Sequence, residues 1–358
     1  MRSFTKPHPY YFTERHIEQQ VSRGKNMKKT RNWSEYNESL VNRGSITFWF
    51  CDDVLALWNH QNKGYRRGRP FIYSDTAIET LLLVREVFHL TYRSAEGFGR
   101  NVFSLLGVRD ASIPDYTSLC KRSKTLNVSV KVAGKHGPLD VIVDSTGLKV
   151  YGEGEWKVRK HGRSKHRTWR KLHIAMDAKT QQIVVAELTP NGRDDASVVP
   201  ELLAQIDDKI GSLYGDGAYD KRRVYKAPSQ YGICPVIPPR KNARLDFVGS
   251  WGSNGHYRND AIAMARSEGL DSWKEQVHYH RRSLGETVMF RIKRLFGERL
   301  KNRNMANQRV EAMMKINALN KLTLQNEAFL LKTLYSTKPT RIRKSLKLSP
   351  HCYSRDGA

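Results

Sequence analysis

The spacing of apolar positions predicts helices in the first third of the chain. From Tyr73 the string TAIETLLLVREVFHL repeats apolar residues at helical intervals, with Ser74 or Asp75 available as the cap. Two more helical stretches follow, one ending at Gly107 and the next opening at Pro114. This order is compatible with a helix-turn-helix DNA-binding unit. A plain three-helix packing domain fits the same periodicity equally well.

In the middle of the chain the helical period gives way to short apolar runs rich in Val and Ile, which predict buried strands. The predicted elements are strands at 139–144, 171–177, 182–189, 212–216 and 233–237, a helix capped by Asp194 or Asp195, and a helix over about 221–230. The first three strands indicate a meander, and Pro238 and Pro239 stop the last one. Strands and helices in this order predict an α/β fold.

Towards the C-terminus the pattern becomes helical again. Residues 242–260 are polar and contain glycine, so they predict a loop or insertion. Beyond them we expect a long helix from Arg282 to about Leu300 and another over 308–324. The tail beyond Lys338 is basic and is expected to stay disordered without a polyanion.

Composition adds a charge argument. The 358 residues include 62 Lys and Arg against 35 Asp and Glu, a formal charge of +27. A surplus of this size gathers polyanions, so nucleic acid is the first partner to consider. A membrane surface is the rival, but no run approaches the roughly 18 apolar residues of a spanning helix and no secretory core is seen, so we expect a cytosolic protein. The four cysteines are scattered, which indicates neither a disulfide framework nor a zinc ribbon.

Two aspartates carry the first hint of chemistry. Asp144 and Asp216 each follow an apolar strand and precede turn-forming residues. One such aspartate is usually only a turn cap. Joined by a carboxylate from a later helix, they become a set of hard oxygen ligands suited to magnesium.

The candidate for the third carboxylate is Glu286. At about 100° per residue, Tyr279, Arg282 and Lys293 lie within about 40° of it on one helical stripe. The opposite side is apolar and is formed by Leu284, Val288, Ile292 and Leu295. An amphipathic helix with a solvated charged face explains this pattern as well.

A family resemblance distinguishes a metal-binding carboxylate on this helix from a solvated charged face. The string Tyr279, two residues, Arg282, three residues, Glu286, six residues, Lys293 matches the Y-(2)-R-(3)-E-(6)-K signature of the DDE transposases of bacterial insertion sequences. DSTGLKVYGEGEWKVRKHG from Asp144, RKLHIAMD, GDGAYD, IPPRKNA and RNWSEYNESLVNRGS match further. Together they resemble the insertion-sequence-five type over about residues 31–325. The resemblance implies a ribonuclease-H-like mixed sheet flanked by helices, with an N-terminal helix-turn-helix-like domain.

The resemblance also implies a site. It makes Asp144, Asp216 and Glu286 the catalytic ligands of two Mg²⁺ ions, for which Mn²⁺ can substitute. Tyr279, Arg282 and Lys293 correspond to family residues that grip DNA near the cleaved bond. The neighbouring acids Asp140, Asp177 and Asp220 are assigned to structure or solvent. Gly285, directly before Glu286, is expected to cost about 1 kcal/mol relative to Ala and to loosen its turn of helix.

A basic stretch beside the first strand supplies more candidate DNA contacts. Between Lys149 and Lys171 there are nine Lys or Arg and two Glu, with tryptophans interleaved. We expect DNA contacts from Trp156, Arg159, Lys160, Arg170 and Lys171, with the indole stacking on an unpaired base. A solvated basic loop is the alternative. The histidines His161, His166 and His173 lack standard zinc spacing and are assigned to charge or hydrogen bonding.

These inferences define an expected organisation. The domains are a poorly ordered segment 1–30 with the natural start at Met27, an N-terminal helical DNA-binding region 31–130, a catalytic domain 138–303, a C-terminal helical region 304–337 and a basic disordered tail 338–358.

The expected function is metal-dependent cleavage at insertion-sequence ends and strand transfer into target DNA in the bacterial nucleoid. The partners are double-stranded DNA, as terminal inverted repeats and target, and a second copy of the chain, with no membrane. A nuclease or integrase of the same fold and a catalytically silent DNA-binding remnant remain alternatives, and a basic membrane-surface protein is a more distant one.

Overall fold

The computed structural model describes residues 33–61, 70–108, 112–132, 137–150, 169–229, 232–246, 248–252 and 254–335. The expected N-terminal segment 1–30, most of the basic stretch and the basic tail 338–358 lie outside these ranges.

One mixed sheet forms the centre of the described structure. Its strands are β1 (Leu139–Val150), β2 (Trp169–Asp177), β3 (Ile183–Pro190), β4 (Ile210–Tyr214), β5 (Cys234–Val236) and β6 (Arg299–Leu300). They lie in the order β3-β2-β1-β4-β5, and β6 pairs with the far end of β1. The first three strands are antiparallel, as the predicted meander requires, while β4 and β6 run parallel to β1 and β5 runs parallel to β4. The expected α/β fold with a mixed sheet flanked by helices is confirmed.

The strand ends differ from the prediction in ways that matter for the site. β1 continues six residues past Asp144, because β2 pairs with it as far as Lys149. The prediction that Asp144 ends a strand is therefore wrong. β4 ends at Tyr214, two residues earlier than predicted, so Asp216 lies in the turn that follows it.

Helices cover both faces of the sheet. Helices α7 (Asp195–Leu203) and α8 (Arg222–Ser229) pack on the face that contains Val141 and Val143. The opposite face, which contains Ile142, is covered by helices α9 to α12: α9 (Gly255–Ser267), α10 (Leu270–Gln276), α11 (Ser283–Phe296) and α12 (Met305–Tyr335). Because successive strand residues point to opposite faces, Asp144 shares the face of Ile142 and meets α11.

The C-terminal helices also depart from the prediction. Residues 242–260 were expected to form a loop, but α9 already begins at Gly255. Helix α11 stops at Phe296 rather than near Leu300, because Gly297 adopts a φ of 77° that ends the helix and lets the chain enter β6. Helix α12 is longer than the predicted 308–324.

The N-terminal helices pack around α12, and those after the first form a second core with it. They are α1 (Trp33–Val41), α2 (Ile46–Trp49), α3 (Asp52–Ala56), α4 (Asp75–Val87), α5 (Tyr92–Leu105) and α6 (Tyr116–Arg122). Ser74 caps α4 by accepting a hydrogen bond from the Ala77 amide, which settles the choice between Ser74 and Asp75. Helices α4, α5 and α6 occupy the predicted positions, and their interpretation as a helix-turn-helix stays a prediction. No helix in the described ranges combines the length and apolar character needed to cross a bilayer.

Helix α12 also attaches the segment before β1 to the sheet. The Asn317 side chain accepts a hydrogen bond from the Lys131 amide and donates one to the Ser129 carbonyl. The Asn320 amide group donates to the carbonyls of Lys131 and Ile183, and its oxygen accepts from the Ile183 amide. Two asparagines thus supply the backbone pairing that a neighbouring strand would otherwise give.

Candidate active site

Asp144 lies on β1 beside Gly285 of α11. A Cβ atom on Gly285 would stand 3.1 Å from Cγ2 of Ile142 and 3.5 Å from Oδ2 of Asp144. A Cβ at this position would require the Ile142 side chain or the helix to shift by a few tenths of an ångström. The sequence predicted only a loss of helix rigidity at Gly285, whereas the structure gives it a packing role that the residue's local sequence does not reveal.

Asp216 comes level with Asp144 through the parallel pairing of β1 and β4. Ile142 is paired with Tyr214, so the residue two positions beyond Tyr214 comes level with Asp144. Asp216 caps the 3₁₀ turn Gly217–Tyr219, and its Oδ1 accepts a hydrogen bond of 2.8 Å from the Ala218 amide. Oδ1 of Asp144 accepts a similar bond of 2.8 Å from the Ser145 amide. Both carboxylates are therefore oriented by backbone groups.

Glu286 approaches these two aspartates from α11, and Arg282 links it to Asp216. The Arg282 guanidinium donates a hydrogen bond to Oε1 of Glu286, and its Nη2 lies 3.6 Å from Oδ2 of Asp216. The Glu286 side chain remains 62% exposed, compared with 21% for Arg282. The helical arithmetic that placed Arg282 and Glu286 on one stripe is consistent with this contact. However, Tyr279–Arg282 is a 3₁₀ turn, and α11 begins only at Ser283.

The electrostatics of the cluster follow from burial and shared charge. Burial raises the pKa of Asp144 above its usual value. The Ser145 amide and Arg282 oppose this rise in pKa, while the carboxylates of Asp216 and Glu286 add to it. Burial lowers the pKa of Arg282, but the surrounding acids, Asp144 foremost, outweigh burial and raise that pKa overall. The three carboxylates therefore lie within electrostatic reach of one another.

The chemical type of the three side chains suits a hard divalent cation. The three side chains offer only carboxylate oxygens, and their mutual repulsion calls for a positive charge among them. In the structure the Arg282 guanidinium supplies that charge. Across the described ranges, no three His, Cys, Asp or Glu side chains are grouped closely enough to hold a metal ion together. Holding one would require Arg282 to move aside and Glu286, which is largely exposed, to turn towards the aspartates.

The other predicted residues of the signature surround the cluster. Tyr279 packs against Trp273, with ring centroids 5.9 Å apart, and burial raises its pKa. Lys293 lies two turns beyond Glu286 and is partly exposed, and its ammonium has no hydrogen-bond or ion-pair partner within the ranges that the structure describes.

Sequence reasoning missed Arg281, whose Nη1 donates to Oδ2 of Asp140 at 2.9 Å. This bond attaches the 3₁₀ turn to β1, and nothing in the local sequence marks it.

Two predicted DNA contacts on β2 already have partners within the protein. Nε of Arg170 donates to the Gln308 side chain at 2.9 Å. The Lys171 ammonium bonds to the Arg193 carbonyl and to Asp195, at 2.9 and 3.0 Å. Their role in DNA binding remains a prediction.

The remaining predicted contacts, Trp156, Arg159 and Lys160, lie outside the described residues, as do His161 and His166. His173 is buried and shares a 2.9 Å hydrogen bond with the Thr189 hydroxyl. It is thus used for hydrogen bonding, as the sequence indicated.

The three neighbouring acids have structural partners. Asp140 pairs with Arg281, and Asp177 accepts hydrogen bonds from the amide and hydroxyl of Thr180. Asp220 is fully buried and forms an ion pair with Arg258, with Oδ1 2.8 Å from Nε.

Comparison with known proteins identifies the family resemblance independently. A family model described as "Transposase DDE domain" matches residues 135–321, and a second model with the same description matches residues 41–153. The first match spans more than half of the chain and includes Asp144, Asp216 and Glu286.

Two solved structures resemble the chain loosely. One is a piggyBac transposase synaptic complex with hairpin DNA, at 10% identity and a TM-score of 0.37, with 84% of this chain and 82% of that chain covered. The other is a Drosophila P element transposase strand transfer complex, at 9% identity and a TM-score of 0.28, with 85% and 88% covered. Superpositions this loose define neither a shared site nor a shared partner.

Proposed function

Because this chain belongs to the DDE transposases, which cut DNA and transfer its strands, we propose that Asp144, Asp216 and Glu286 are its catalytic carboxylates. The observation that supports this assignment is their convergence around Arg282. One acid comes from the central strand, one follows the adjacent parallel strand, and one comes from a helix that Gly285 allows to lie close to the central strand.

DDE transposases generally use divalent metal ions, and for this chain we propose two magnesium ions, with manganese as a substitute. Bound metal of this kind activates the attacking oxygen and stabilises the leaving 3′ oxygen. Asp144, Asp216 and Glu286 would hold it, since all three offer the hard oxygen atoms that magnesium prefers.

The residues of the signature orient the substrate in this proposal. The Arg282 guanidinium can pair with a DNA phosphate in place of the carboxylates it contacts in the structure. Lys293 is free to neutralise a second phosphate, and Tyr279 holds the 3₁₀ turn against Trp273 so that Arg282 points at the cluster. No covalent intermediate with the protein is needed, because water and then a 3′ hydroxyl serve as nucleophiles.

The proposed substrates are the two ends of a mobile element and a target DNA. We propose an insertion-sequence-five type of bacterial element with terminal inverted repeats, on the motifs quoted above. Since two ends must be brought together, the active form on DNA is proposed to be a dimer or larger.

Substitution of Asp144 tests the catalytic assignment. The substrate is a duplex that carries the DNA flanking this coding region, in magnesium. Asp144→Asn is expected to lower the nicking rate by about a thousandfold or more, a barrier increase of roughly 4 kcal/mol. Its affinity for the same duplex, measured by gel shift, is expected to match that of the wild type.

The matched control is Asp207→Asn, which removes an exposed carboxylate in the loop before β4. It should nick at the wild-type rate. Robust nicking by Asp144→Asn would refute the assignment. Strand-transfer assays with pre-cut ends separate a transposase from a nuclease of the same fold, because only the former joins the ends to target DNA.

A further inference from the structure

The loop that follows β5 carries an exposed group of cations beside Asp216. Arg240, Lys241 and Arg244 are all exposed. Neither Lys241 nor Arg244 has a carboxylate partner among the residues that the structure describes. Uncompensated cations repel one another, so a surface of this kind gains most from a polyanion.

Hydrogen bonds to α9 hold the backbone of this loop in place. The loop turns through a 2.8 Å bond from the Ala243 amide to the Arg240 carbonyl. The side chains of Arg266 and Arg258 donate to the carbonyls of Ala243 and Arg244, each at 3.0 Å. With its backbone fixed, the loop presents its cations at little cost in backbone conformational entropy.

The loop is also attached to the turn that carries Asp216. Oδ2 of the buried Asp220 accepts a 3.1 Å hydrogen bond from the Arg240 amide, while its Oδ1 pairs with Arg258. The Arg240 guanidinium lies 3.4 and 3.5 Å from the carbonyls of Gly217 and Ala218, the two residues after Asp216. A displacement of the loop would therefore displace this turn.

We propose that Arg240, Lys241 and Arg244 form a phosphate-binding surface that holds the DNA backbone beside Asp216, towards the β5 edge of the sheet. This inference rests on the proposed function, because it places the DNA next to the three carboxylates. The sheet order supports this position. β4, which Asp216 follows, lies between β1 and β5, so the loop after β5 is on the side of Asp216 that faces away from β1. Arg282 and Lys293 would then hold phosphates near α11, and the loop would hold the backbone on the other side of Asp216.

Charge removal at the two unpaired cations tests the surface. Lys241→Gln/Arg244→Gln is compared with Lys179→Gln/Lys209→Gln, which removes the same charge near the start of β1 and β4, at the opposite end of the sheet. The affinity for a 30-base-pair duplex is measured over a series of salt concentrations. Each lost phosphate contact lowers the slope of log affinity against log salt by about 0.9.

We expect the slope to fall by about 2 in the loop variant and to stay unchanged in the control, with affinity about 10 to 100 times weaker at 0.1 M salt for the loop variant alone. Equal changes in the two variants would mean that only the general charge of the protein matters, and would overturn the proposal. All four residues are exposed, and circular dichroism confirms that both variants fold.

A second measurement locates the contact. Duplexes with uncharged methylphosphonate linkages at single positions near the nicked bond are bound by each variant. Some of the linkages that weaken binding by wild type and control should have no further effect on the loop variant, because their contact with the loop is already lost, whereas linkages at phosphates held by Arg282 and Lys293 should weaken binding by all three proteins. If the effects of the linkage and of the loop substitutions added in full at every position, the proposed location would be overturned. Binding is measured without cleavage, so failure of this surface is distinguishable from failure of the carboxylate assignment, which the nicking assay reports.

Discussion

The two sides of the carboxylate cluster are supported in different ways. On the sheet side, Asp144 and Asp216 each accept a hydrogen bond from a backbone amide, and burial raises the pKa of Asp144. On the helix side, Glu286 is mostly exposed and is held by Arg282. The difference indicates that the fold positions two of the three proposed ligands before any substrate arrives, whereas the third adjusts to the substrate.

Changing the side-chain length of one acid on each side is expected to give the largest difference in nicking activity. Asp144→Glu adds a methylene group next to the Gly285 backbone, where there is little room, so nicking should fall by about a thousandfold or more. Glu286→Asp removes one methylene group from an exposed side chain on a helix, so nicking should fall by only about 10 to 100 times.

Both variants keep the total charge, so their DNA affinities, measured by gel shift, serve as the control. If Glu286→Asp proved as damaging as Asp144→Glu, the helix side would be as rigidly constrained as the sheet side, and the distinction would be lost.

A methyl group at Gly285 tests the contact between the two sides. Gly285→Ala places a Cβ 3.1 Å from Cγ2 of Ile142, and we expect α11, with Glu286, to shift by a few tenths of an ångström to relieve this contact. We expect nicking to fall about tenfold, since misplacing a reacting group by 1 Å is costly. The free energy of unfolding should change by less than about 1 kcal/mol, because the gain in helix propensity offsets the crowding.

Gly97 in α5 offers the matched control, because nothing lies within 4 Å of a Cβ at that position. Gly97→Ala is expected to stabilise the protein by about 0.5 to 1 kcal/mol in urea unfolding and to leave nicking unchanged. Full nicking activity in Gly285→Ala would show that the close approach of α11 is not required.

Acidification is expected to lower the stability of the folded protein through His173, which lies on the sheet side. Burial lowers the pKa of His173, the partner of Ser145 on the neighbouring strand, to about 4 from its usual 6.5. Between these two pKa values, His173 binds a proton in the unfolded chain but not in the folded chain. The free energy of unfolding is therefore highest above pH 6.5 and falls as the pH drops towards 4. From pH 7 to 5 the loss should be on the order of 1 to 2 kcal/mol.

Urea unfolding of wild type and His173→Gln at both pH values isolates this loss. Glutamine can keep a hydrogen bond to Thr189 but does not titrate, so the pH dependence should be smaller in the variant. An identical dependence in both proteins would assign the loss to other groups.

The family resemblance indicated which residues form the cluster, but no sequence pattern indicated how they are held. The spacing from Tyr279 to Lys293 and the strands before Asp144 and Asp216 depend on short-range patterns that a sequence displays directly. The end of β1 was misjudged, because Ser145, Thr146 and Gly147 resemble a turn, although pairing with β2 keeps them extended. Pairing of this kind is a tertiary effect that overrides local preference.

The ion pairs that position the site were beyond the reach of sequence patterns. Arg281 and Asp140 are 141 residues apart, and Arg258 and Asp220 are 38 apart. Each pair depends on the packing of separate elements. Charged residues near a motif look alike in sequence, whether they serve the substrate or the scaffold.

The asparagines of α12 have a consequence for how the protein can be divided. Asn317 and Asn320 satisfy backbone groups at both the segment before β1 and the start of β3, while Val310 and Met314 fill the core of the N-terminal helices. A polypeptide truncated before residue 305 would leave those amides unpaired and two apolar surfaces open to water. Early termination of translation should therefore yield an aggregating fragment rather than a DNA-binding competitor of the full-length enzyme, and pulse-chase turnover of such fragments would reveal it.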